Sequence, residues 1–226
     1  MNSEKNNVRI AGILYIAGTV TGILSVVVTG PLHKTEHLLA AVTAGEKTIV
    51  GGSLLILAMG FSLALMPVLL YPVLKKVNRT FAAGYTVFRG ALETFTYMAT
   101  AVCWMLLVPL GRACRSDAGI SVHGNALGKI LFEAPQLSSL AVIVFIIGAL
   151  MFYGTLFQGR LVPRWISLWG IIAATPYLTC GLLGMYGVLD TSAGSGSPVS
   201  TLLFMPLAIQ EMVLAVWMVV KGFHTG

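Results

Sequence analysis

Six stretches of the chain run almost without polar interruption: residues 10–28, 49–74, 81–110, 131–157, 165–189 and 199–220. A helix needs roughly 20 apolar residues to cross a hydrocarbon core about 30 Å thick, and each stretch reaches or nearly reaches that length. Lipid offers no partner to backbone N–H and C=O groups, so each span must satisfy its own, which helices do and open strands do not. Segments such as 143–150 and 213–220 lack the alternation of a barrel strand. The pattern predicts an all-α polytopic membrane protein, a bundle of six transmembrane helices forming a single membrane domain over 1–226.

The connections at 75–80 and 158–164 are short, which makes spans two and three, and spans four and five, antiparallel neighbours. Segments 29–48 and 111–130 read as longer loops, the first carrying a helix-compatible stretch at 37–43. Gly18-Thr19-Val20-Thr21-Gly22 has the small-xxx-small spacing that permits close backbone approach, read here as packing inside the bundle.

Composition agrees with this picture. Of 226 residues, 57% are hydrophobic and 10% charged, with a mean hydropathy of +0.88, whereas soluble domains carry about 25% charged residues. The spans hold only Arg89, Glu93, Glu133 and Glu211 as charged residues; the others lie between spans. Lys5, Arg9, Lys75, Lys76, Arg79, Arg160, Arg164 and Lys221 fall on one side, against Lys34, Lys47, Arg112, Arg115 and Lys129 on the other. That bias places both termini in the cytoplasm. It also accounts for the net charge of +6 without nucleic-acid binding. The first span is longer than a usual signal core and is expected to be retained. Cys103, Cys114 and Cys180 have no C-x-x-C spacing and read as packing residues. His33, His37, His123 and His224 all lie outside the spans, which leaves no axial ligands for haem, and no cofactor is expected.

Ionisable groups within a bilayer are expensive and must face protein or a watery cavity. Arg89 lies ten residues from Arg79, and Glu211 ten residues from Lys221, which puts both about 15 Å in from the same edge. Glu93 is one turn deeper. Tyr85, Arg89, Glu93, Thr96 or Tyr97, Thr100 and Trp104 recur at three- and four-residue spacing, a polar stripe along one helix face. Arg89 is expected to bridge Glu93 within its helix and Glu211 across to the sixth. One cation between two carboxylates leaves a negative cluster, and desolvation then favours a proton on one glutamate. Such a carboxyl suits a general acid or a proton-coupled transporter.

Three further patterns carry less. Glu133 followed by Pro135 reads as helix-start chemistry for the fourth span. His33-Lys34-Thr35-Glu36-His37 spells H-x-x-E-H, in which His33 and His37 would bind zinc and Glu36 act as base, with Glu46 or His123 as a further ligand. It sits in a short loop with no supporting domain, and the default is metal-free. Gly194-Ser195-Gly196 lacks the lysine of a phosphate-binding loop.

The segments "RIAGILYIAGTVTGIL", "LLYPVLKKVNRTFAAGYTVFRGA", "GALMFYGTLFQGRLVPRWISLWGII" and "QEMVLAVWMVVKGF" resemble, in order and spacing, the six-helix bacterial membrane proteins catalogued as domain of unknown function 4386. Arg89 in "FRGA" and Glu211 in "QEMVLAVW" match that family's polar positions. The resemblance implies a six-helix fold in the bacterial cytoplasmic (inner) membrane and brings no established reaction. Where members tend to carry a histidine early in the fourth span, this chain has Glu133-Ala134-Pro135-Gln136, and no histidine-dependent activity is carried over.

The leading expectation is an intrabilayer pocket around Arg89, Glu93 and Glu211, with Tyr85, Tyr97 and Trp104 as ligand-binding residues, that takes a lipophilic small molecule. An enzyme built on it would perform acid–base catalysis on a lipid or isoprenoid-like substrate. The alternatives are a small proton-coupled transporter, a membrane sensor, or an accessory subunit whose ion pair is purely structural. Membrane lipids are the expected surroundings, and a homo-oligomer is compatible with the sequence.

Overall fold

The computed structural model describes residues 2–116, 118–189, 191 and 198–224, with the backbone alone at residue 2 and residues 118–122. The described residues form α1 (Asn2–His33), α2 (Leu38–Ala44), α3 (Glu46–Leu74), α4 (Arg79–Tyr85), a π-helical segment (Thr86–Leu92), α5 (Glu93–Ser116), α6 (Ala118–Glu133), α7 (Pro135–Gly159), α8 (Arg164–Met185) and α9 (Pro198–Val220). Among them no strand occurs, and six helical units are long and apolar enough to cross a membrane. The protein is therefore a multi-pass membrane protein. The Gly194-Ser195-Gly196 loop lies outside the described residues.

The six spanning units close into a ring in chain order. α1 packs on α3, α3 on the continuous helix of α4, the π segment and α5, that helix on α7, α7 on α8, α8 on α9, and α9 back on α1. Lipid offers no hydrophobic gain between helices, so these contacts rest on small residues and polar bonds. Gly18 and Gly22 do face inward: a Cβ at Gly18 would lie 2.9 Å from Leu63, and one at Gly22 would collide with Met59. The Ser25 hydroxyl donates to the Gly52 carbonyl at 3.0 Å across the same α1–α3 seam. Large apolar side chains such as Val27, Phe61, Phe95, Val102, Ile172 and Leu202 point outward, as the lipid-facing surface of a bundle requires.

Both short connections are tightly made. Asn78 caps α4 by accepting the Phe81 backbone N–H at 3.0 Å, and its amide donates to Gln158 at 3.0 Å, which ties the two connections together. Losing an N-cap costs about 1 kcal/mol. Asn78→Ala is accordingly expected to lower the unfolding free energy by about 1–2 kcal/mol, the Gln158 bond included, as a reduced melting temperature of the detergent-solubilised protein.

The far side, opposite the termini, departs from expectation. Segment 37–43 is helical as α2, within one residue of the reading. Residues 111–130, read as a loop, are helical instead: α5 runs to Ser116 and α6 covers most of the remainder. Gly124 and Gly128 depress hydropathy and helix propensity, yet they give Leu39 of α2 room to lie against α6, with a Cβ at Gly128 falling 2.8 Å from Leu39. Asn125 fastens this cap, its amide donating to the Glu36 carbonyl at 2.7 Å. Glu133 ends α6 and does not begin a span. Proline cannot continue the helical ladder and pushes its predecessor out of the helical region. Ala134 takes a left-handed φ of 35°, and Pro135 opens α7.

Candidate functional site

The third spanning helix changes register where its charges sit. Over Thr86–Leu92 it is π-helical, and the Glu93 N–H donates to the Phe88 carbonyl five residues back. π-turns inside α-helices accompany functional positions more often than chance. Two close neighbours hold the segment. Pro67 of α3 lies 3.3 Å from where a Gly90 Cβ would be, and on the other side a Gly148 Cβ would lie 3.2 Å from both the Arg89 nitrogen and the Phe88 Cβ.

Arg89, Glu93 and Glu211 are all buried and come together. Arg89 Nη1 donates to both Glu93 oxygens, at 3.0 and 3.1 Å. Its Nη2 stands 3.7 Å from Glu211 Oε1, an ion pair without a hydrogen bond. The guanidinium also lies 4.6 Å from the Phe145 ring centre and 5.5 Å from that of Tyr15, within cation–π reach. Each carboxylate takes a tyrosine: Tyr97 donates to Glu93 at 2.7 Å, and Tyr15 donates to Glu211. A buried charge is tolerated only when paired and hydrogen-bonded, and here helices one, three, four and six supply the partners.

This cluster forms one end of a cavity of about 500 Å³. Arg89, Glu93 and Tyr97 contribute to its wall, and it extends along the ring axis toward the far side, past Thr100 and Trp104 to Phe132 and Glu133. All six spanning units contribute, with Met59 from α3, Tyr177 from α8 and Phe204 from α9. The Trp104 indole N–H donates to the Phe132 carbonyl at 2.9 Å, which ties the cavity wall to the end of α6.

The sequence-predicted residues divide accordingly. Arg89, Glu93, Tyr97 and Trp104 line the cavity; Glu211 and Tyr85 do not. Glu211 stands behind Arg89. Tyr85 stacks on Phe152 with ring centres 4.6 Å apart, its hydroxyl buried and without a hydrogen-bond partner. The H-x-x-E-H residues are dispersed, because α1 ends at His33 and the next four residues leave the helix that a shared histidine face needs. His33 packs on Phe132 at 4.5 Å, while Glu36 and His37 are exposed. Among the described residues no three His, Cys, Asp or Glu side chains are grouped to hold a metal. Among the described residues, Cys103, Cys114 and Cys180 form no disulfide.

Sequence reasoning missed Tyr15 and Phe145 as partners of the cluster, and Phe132, Tyr177, Phe204 and Glu133 as cavity wall. For Tyr15 a signal existed, since it lies ten residues from Lys5, the separation that put Glu211 at its depth. No curated protein and no solved structure matches the chain. The family model described as Domain of unknown function (DUF4386) matches residues 10–222, nearly the whole length, and the chain belongs to that family.

Proposed function

We propose that this protein binds a lipophilic small molecule in the cavity lined by its ring of helices, in the bacterial inner membrane with both termini cytoplasmic. The lysine and arginine bias between the two sides supports the orientation. The observation that carries the binding reading is one continuous space: apolar and aromatic walls drawn from every spanning unit, ending on Arg89, Glu93 and Tyr97. Ligand sites have this composition, a mostly apolar enclosure with few convergent polar groups. Glu93 is the acid–base group within reach of an occupant, for acid–base catalysis on a lipid or isoprenoid-like substrate. Arg89 holds it in place, and Glu211 balances Arg89 from behind.

Ala141 lines the cavity and offers a test of this reading. Filling occupied space costs about 1–3 kcal/mol, or about tenfold or more in affinity. Solvent extraction and native mass spectrometry of the purified protein are expected to show a retained lipophilic molecule whose occupancy falls at least about tenfold in Ala141→Phe. A wild-type protein that retains nothing, or a variant that retains as much, refutes the reading.

A further inference from the structure

Resting on the cavity reading above, we infer that the cavity selects lipophilic cations: molecules with an apolar, aromatic-compatible body and a positively charged centre. Three observations converge. The first is charge. Among the described residues that line the cavity, the charged ones are Arg89, Glu93 and Glu133. Arg89 is already turned toward two carboxylates, both oxygens of Glu93 and the nearer oxygen of Glu211. Counted as ionised, the inner end holds two carboxylates against one guanidinium, with Glu211 standing behind Arg89 and outside the cavity wall, in surroundings where water does not screen them.

The second is the wall. Tyr97, Trp104, Phe132, Phe145, Tyr177 and Phe204 all face the space, and some pair with one another: Tyr177 and Phe204 have ring centres 4.9 Å apart, and Trp104 and Phe132 5.6 Å. Aromatic faces attract cations, and more strongly where the site is dry. The molecule shows this at one ring already, for Arg89 lies against Phe145.

The third is the far end. Glu133 is exposed at the far end of the cavity, held beside it by the left-handed turn at Ala134 and Pro135. With an acid at the far end, an acid beside Arg89 at the inner end and aromatic rings between them, the cavity wall holds two carboxylates against one guanidinium.

The test uses full-length protein in phosphatidylcholine nanodiscs and two probes of the same shape and opposite charge, tetraphenylphosphonium and tetraphenylborate. Equilibrium dialysis measures binding to wild type and to Ala141→Phe, and their difference is the cavity-dependent part for each probe. The expected result is cavity-dependent binding of tetraphenylphosphonium at least about tenfold tighter than that of tetraphenylborate. Glu133→Gln should weaken the cation by about two- to fivefold, as an exposed charge does, and flatten its salt dependence. Glu93→Gln should remove most of the preference. Where that variant fails to fold, Glu133→Gln decides the matter.

Equal or stronger cavity-dependent binding of the borate overturns the cation inference and leaves the cavity reading standing. Binding of neither probe overturns it as well, while retention of an endogenous molecule in the extraction above keeps the cavity reading intact. Cation binding that Ala141→Phe leaves unchanged places the cation elsewhere and overturns the inference.

Discussion

Arg89→Gln is expected to destabilise the purified protein by about 3–5 kcal/mol, the range seen when one member of a buried ion pair is removed. The reason lies in what remains. Glu93 loses two hydrogen bonds from Nη1 and Glu211 loses the Arg89 cation, so two buried carboxylates face one space and keep the Tyr97 and Tyr15 hydroxyls as donors. Thermal unfolding in detergent, followed as loss of the monodisperse chromatographic peak, measures the loss. The neutral triple variant Arg89→Met, Glu93→Gln, Glu211→Gln is expected to recover more than half of it, because no charge is left unpaired. A wild-type melting profile for Arg89→Gln would mean that the carboxylates do not depend on the guanidinium.

Gly148→Val is the second large effect. Its Cβ would fall 3.2 Å from a backbone nitrogen and from the Cβ of Phe88, neither of which can swing aside as a long side chain can. The added methyls must push α7 away from the π segment. Overpacking of this kind costs about 1–3 kcal/mol, and here it also displaces Arg89 from Glu211. Ligand occupancy should therefore fall along with melting temperature. Gly51→Val in α3 is the control, since nothing lies within 4 Å of its Cβ position. Equal losses at the two sites would show that valine in a helix, and not the contact, is responsible.

The spans were legible because the bilayer imposes a length and an apolar composition that few other structures share. The central charges were legible for a related reason: an ionisable group so deep must have a partner, and counting residues from the flanking Arg79 and Lys221 put Arg89 and Glu211 level. The same count from Lys5 reached Tyr15, but a tyrosine carries no charge that demands explanation. α6 was hidden by its glycines, whose value lies in contact with Leu39 and is invisible to local propensity. The π segment has no signature in residue type; Pro67 and Gly148, which flank it closely from two sides, come from other helices. Four- and three-residue spacing still placed Arg89, Glu93, Tyr97 and Trp104 along one wall, while Tyr85, before the register change, was carried to a different contact.

The closed ring has a consequence for assembly. Arg89 and Glu93 are one turn apart on one helix, so their pairing is available as soon as that helix forms. Glu211 arrives only with α9, emerging long after them in synthesis. The joint between α1 and α9 unites the segments farthest apart in sequence, and it is there that Tyr15 meets Glu211. Until α9 docks against both α1 and the helix that carries Arg89, a membrane-embedded glutamate lacks its tyrosine and its cation. Burying Glu211 is thus linked to completing the bundle, and a chain stalled with α9 undocked keeps an unpaired acid in the bilayer, which quality-control proteases can recognise.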